Sequence, residues 1–137
     1  MNTQKVVLAT ALRSLLILVV VSAYTFGFYT RVFPYGAAQL FDSVGNTHLS
    51  MVYHVRAYEQ DKGSVEKLYY AFEKSIEAGD KPNTIKYGKL FLNHPDCEKI
   101  LNQVNEYVNK NGVGDFDARE WLEAAFEKAG GDLNEII

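Results

Sequence analysis

Residues 14–30, between Arg13 and Arg31, carry no charge, and residues 15–21 are an unbroken aliphatic run, Leu15-Leu16-Ile17-Leu18-Val19-Val20-Val21. A solvated helix needs a polar face, and this stretch has none, so the solvent it suits is lipid. At about 1.5 Å per residue the uncharged stretch spans about 26 Å, a little less than the roughly 30 Å hydrocarbon layer, and flanking arginines can snorkel outward. The expectation is a single transmembrane helix within residues 1–33. Val21-Ser22-Ala23 also satisfies the small-residue pattern of a signal-peptide cleavage site, and an acid-free, Arg-containing start is compatible with organellar targeting. The aromatic residues Tyr24, Phe26, Phe28, Tyr29, Phe33 and Tyr35 favour retention, because such side chains collect at membrane boundaries. Lys5 and Arg13 precede the run and Arg31 follows it, which points to a cytoplasmic amino terminus and an extracytoplasmic carboxyl-terminal domain.

The rest of the chain has a different electrostatic character. No acidic residue occurs before Asp42, and three of the 14 basic residues lie in that first part, which leaves 11 basic against 17 acidic residues, a net of −6. A surface of that sign lacks the clustered basic face that nucleic-acid phosphates require, so nucleic acid is excluded as a partner. With 137 residues there is room for one ordinary domain behind the anchor. Its apolar residues recur at helical spacing: His48, Met51, Val52, Val55 and Tyr58; then Val65, Leu68, Tyr69, Phe72 and Ile76 behind a Ser64 cap. Ile100, Leu101, Val104, Tyr107 and Val108 form a third stripe, and Trp121, Leu122, Ala125, Phe126 and Ala129 a fourth. No alternating strand pattern competes. The expected class is all-α, with residues 34–63 as a connecting helical region, 64–131 as a helical pair and 132–137 as a tail. The tyrosines and Trp121 read as core residues on those stripes.

One segment has spacing that carries chemistry. Residues 109–120 read Asn109, Lys110, Asn111, Gly112, Val113, Gly114, Asp115, Phe116, Asp117, Ala118, Arg119, Glu120. Oxygen-bearing side chains fall at positions 1, 3, 7, 9 and 12, with glycine at 6 and an apolar residue at 8. A hard cation such as Ca2+ takes six to eight oxygens, and a twelve-residue loop delivers them in order if it turns sharply at position 6. The run resembles an EF-hand. The resemblance implies calcium ligands Asn109, Asn111, Asp115 (through its carbonyl), Asp117 and Glu120, with Val113 contributing a carbonyl or nothing and the turn at Gly114. Asn replaces the usual carboxylates at positions 1 and 3 and Val113 removes a side-chain ligand, so the implied affinity is weak. Without metal, the same letters serve as helix caps, since Asp117 followed by Glu120 makes a capping box for a helix running through Ala129.

EF-hands come in pairs, and the resemblance implies a degenerate first loop at residues 77–89, with Ile85 in the apolar slot and Lys89 where the closing glutamate belongs. That cation predicts an empty first loop. Between the two, His94-Pro95-Asp96 is similar to the tripeptide of J-domains, which implies a co-chaperone alternative with Lys86 and Lys89 as its basic element, although Gly88 stands where a basic residue is expected. His94 and Cys97 do not make a zinc site without a second close pair, and the lone cysteine forms no internal disulfide. No serine elbow, phosphate loop or nucleophile and base pair is present, so the expectation is a non-enzymatic module. Its expected role is a membrane-anchored interaction module, either weakly calcium-binding or a metal-free adaptor, with the lipid bilayer and another membrane protein as partners.

Overall fold

A computed structural model describes residues 2–112 and 114–137, and these are all-helical, with no strand among them. The helices are α1 (Thr3–Val32), α2 (Pro34–Ser43), α3 (Thr47–Gln60), α4 (Val65–Glu77), α5 (Lys81–Leu92), α6 (Cys97–Lys110) and α7 (Ala118–Lys128), followed by a 3-10 turn at Leu133–Glu135. α1 is long and apolar enough to cross a membrane, and its apolar side chains are exposed.

Local chemistry explains the boundaries. Asn46, Ser64, Asp80 and Asp117 each stand at a helix start and accept a bond from a backbone N–H one turn in, satisfying donors that the helix itself leaves free. Pro34 opens α2 in the first turn, where its missing N–H costs nothing, so one residue, Phe33, separates α1 from α2. α2 then folds back along α1. Phe41 meets Phe26 edge to face at 6.0 Å between centroids, Thr30 is only 4 % exposed, and Gln60 of α3 donates to the Arg31 carbonyl at 3.1 Å. α2 therefore covers one side of the last two turns of α1, at Gly27 and Thr30, while Phe28 and Val32 stay exposed.

α4 lies at the centre, packed against α3, α5, α6 and α7. One core holds Tyr58 of α3, Leu68 and Phe72 of α4, Tyr87 and Phe91 of α5, Ile100 and Leu101 of α6, and Leu122 and Phe126 of α7. Tyr58 in that core means residues 34–63 are part of the body and not a connection, because α3 buries its stripe on α4. The tail also docks: Leu133 and Ile136 pack on the core, and Asn93 bonds the backbone of Glu135 and Ile137. The segment expected as a first EF-hand loop is corrected too. Only residues 78–80 turn, with Gly79 at φ 68°, and α5 begins at Lys81 because Asp80 caps it and Pro82 suits its first turn. Ile85 and Lys89 are helical residues, and Lys89 pairs with Glu135.

α5 approaches α4 and α7 closely through Gly88. A Cβ there would stand 2.7 Å from ring carbons of both Phe72 and Phe126. Overpacking of this kind costs about 1–3 kcal/mol, against about 0.5–1 kcal/mol of helix propensity recovered. Gly88→Ala is expected to lower stability by about 1 kcal/mol or more, read as a shifted urea midpoint.

A polar cluster ties α2, α3 and α4 together. Asp42 accepts from Ser50 Oγ at 2.6 Å and lies 3.3 Å from both His54 Nε2 and Lys74 Nζ. His54 is buried between Tyr35, edge-on at 5.7 Å, and Tyr70, stacked at 5.3 Å. Burial pushes the imidazole below its ordinary value despite Asp42. For Asp42, burial alone would raise the carboxyl, but Ser50, His54 and Lys74 outweigh it and hold it low. Both folded values are depressed, so both contributions are complete above the unfolded values and are lost as pH falls. Thermal stability is expected to decline first below about pH 6.5, where an unfolded histidine takes up its proton, and again below the ordinary carboxylate range. His54→Gln should flatten the first step and leave the second.

Candidate functional site

The 109–120 segment joins α6 to α7, and its side chains are mostly spoken for. Asn109 Oδ1 accepts from Phe116 N at 3.3 Å, the Asn111 amide donates to the Tyr107 carbonyl at 2.7 Å, and Asp117 Oδ1 caps Arg119 N at 3.0 Å and Glu120 N at 3.5 Å. Asn105, one turn back in α6, accepts from Ala118 N at 2.7 Å and so pins the start of α7. Val113 lies outside the described residues. Gly114 lies in a turn, as do Asn111, Gly112 and Asp115, with positive φ at Gly112 (93°) and at Asp115 (64°). Gly112 takes that conformation at no steric cost, and Asp is among the few other residues that tolerate it. Asn109, Asn111, Asp115, Asp117 and Glu120 are all solvent-exposed, and among the described residues no three His, Cys, Asp or Glu side chains converge on a common point.

The other sequence-singled motifs are held by local bonds. His94 Nδ1 accepts from Asp96 N at 3.0 Å in the turn between α5 and α6. Lys86 lies 3.8 Å from Glu59, and Lys89 pairs with Glu135. Cys97 is buried, and burial raises its thiol although Arg119 Nη2 sits 4.0 Å from the sulfur. Arg119 also pairs with Glu98 and Glu123, which locks the start of α7 to the start of α6.

Beside this helix pair lies an open groove of about 690 Å3. Glu66, Tyr69, Tyr70 and Glu73 of α4 form one wall; Ile100, Gln103, Val104, Tyr107 and Val108 of α6 form the other, with Phe116 and Trp121 at the end. The stripe read from α6 is therefore only partly core. Ile100 and Leu101 are buried, Val104 and Val108 are half-buried, and Tyr107 is 71 % exposed. Trp121, 38 % exposed, leans on Phe116 at 6.1 Å. Periodicity identified the apolar face of α6, yet it could not say that α4 covers only its first turns.

The groove is mainly aliphatic and aromatic, with two carboxylates, a glutamine and three tyrosine hydroxyls as its polar groups. Burial raises the Glu73 carboxyl, opposed by the Tyr69 hydroxyl and by Lys74 at 3.7 Å. The Tyr69 phenol is pushed up by its own burial and by Glu73. Comparison with known proteins returns no matching family model, no matching curated sequence and no matching solved structure.

If the loop serves as a set of caps, Asp117→Ala should cost about 1 kcal/mol and Asp117→Asn almost nothing, since Asn caps as well as Asp. Urea denaturation of the two variants checks this.

Proposed function

We propose that the chain is a membrane-tethered, non-enzymatic docking module. α1 holds it in a bilayer, and the groove between α4 and α6 receives an amphipathic helical segment of a partner protein, apolar side down, with a basic residue directed at Glu66 and Glu73. The supporting observation is the groove itself: an open, aromatic-lined surface whose only charged lining residues are acidic. Helix-in-groove recognition uses this combination of apolar anchors and a polar rim.

A second reading is weak calcium binding of EF-hand type at residues 109–120. One observation favours it: α6 ends at Lys110 and α7 begins at Ala118, so the segment links two helices and its five oxygen side chains face solvent. Calcium there would alter the angle between α6 and α7, and with it the groove, as in sensor proteins.

Trp121 is the sole tryptophan and lines the groove, so its emission reports occupancy. With the full chain in zwitterionic nanodiscs, a Leu/Lys amphipathic peptide is expected to give a saturable blue shift and a Leu/Glu peptide none. Tyr107→Ala should weaken binding by roughly 2 kcal/mol, the scale of an aromatic anchor. Equal response to both peptides, or none, rejects the groove. The melting temperature is expected to be the same in millimolar calcium and in chelator; a calcium-dependent rise abolished by Glu120→Gln would favour the second reading instead.

A further inference from the structure

The back-folding of α2 changes where lipid can meet α1. Phe41 pairs with Phe26, and α2 continues past Phe41 in the direction of the amino-terminal half of α1. The turn that follows exposes Asp42, Ser43, Asn46 and His48 together with non-helical backbone at Gly45. Exposed loop backbone and polar side chains do not occur within hydrocarbon, so the boundary lies on the amino-terminal side of Phe26. Tyr24, 79 % exposed, suits that boundary. Counting back about 20 residues for a roughly 30 Å layer reaches Lys5. The lipid-facing span is therefore the first part of α1, shifted upstream from the uncharged residues 14–30.

That shift places Arg13 inside the span, about 12 Å from the Lys5 side and about 16 Å from Tyr24. Snorkelling serves cations near helix ends, and Arg13 is not near one. It has no ion-pair partner among the described residues. Nor can a second copy supply one, because residues 1–41 contain no acid and would bring another arginine to the same depth.

We propose that Arg13 is the recognition element of α1, and that its partner is a transmembrane helix of a different protein bearing an Asp or Glu near mid-depth. Ala9 and Thr10, one turn away on the same face, are small enough for close helix approach. The Thr10 hydroxyl already donates to the Val6 carbonyl at 3.0 Å, so it brings no unmet polar demand. With Arg13 at depth, Lys5 and Arg31 are left as the flanking cations, and the charge bias on orientation loses its margin.

The inference rests on the membrane tether proposed above, and the test separates the two. The full chain is placed in phosphatidylcholine vesicles with a polyleucine transmembrane probe carrying one central Asp, or none, and association is read by energy transfer. The Asp probe is expected to associate at least about tenfold more strongly, the low end of what one buried charge pair contributes. Arg13→Leu should erase the preference and Arg13→Lys should retain most of it. Equal association of both probes with the native chain overturns the proposal. Depth is measured in a Trp121→Phe background by mid-chain brominated lipids, with Leu12→Trp expected to be strongly quenched and Phe28→Trp weakly. The reverse order puts the span at residues 14–30 and ends the proposal while the tether stands. Release of the chain by alkaline extraction, with neither tryptophan quenched, removes the tether itself.

Discussion

Everything in the folded body depends on burial around α4. Leu68, Tyr69, Ala71, Phe72 and Ser75 are buried, and α3, α5, α6 and α7 all reach this one helix. A short helix cannot give four neighbours equal area. α3 and α5 take most of it, α5 approaching closely because Gly88 has no side chain to hold Phe72 away. α6 shares with α7 what remains. It meets α4 at Ile100 and leaves Tyr107 uncovered, so the groove follows from how α4 is shared.

The same helix connects the groove to the membrane side. Tyr70 lines the groove and also stacks on His54, whose ring lies within hydrogen-bonding distance of Asp42 at the end of α2. Lys74 adds a cation to that junction. α2 in turn grips the last turns of α1 through Phe41 and Phe26. α1 and the groove thus share one continuous set of packed rings and charge-assisted bonds.

Much of this was legible beforehand. The class, the Ser64 cap, the stripes of α4 and α7 and the end of α7 near Ala129 follow from periodicity and capping chemistry, which are local. The loop reading was less secure because its letters serve two purposes. Asp117 and Glu120 suit a cation and a helix start alike, and Asp117 caps α7. Residues 77–89 carry a local signal that settles their structure: Asp80 followed by Pro82 is a helix start. Tyr58 and Tyr69 are core as their stripes imply, but Tyr107 and Trp121 are exposed, since a helical stripe shows which side is apolar but not how far a neighbour extends over it.

The covalent order of side chains determined the helices, the acidic body and a lipid-compatible start, because each of these depends on residues within a few positions of one another. Tertiary structure decided the reach of α5 into the core, the open flank of α6 and the packing of α2 along one side of the end of α1. Those outcomes depend on how non-adjacent helices divide a limited apolar surface, which no local pattern records. The proposed depth of Arg13 belongs to the second group: its neighbours in sequence are mostly apolar on both sides, and where lipid would end is inferred from the back-folded α2 and the polar residues around its final turn.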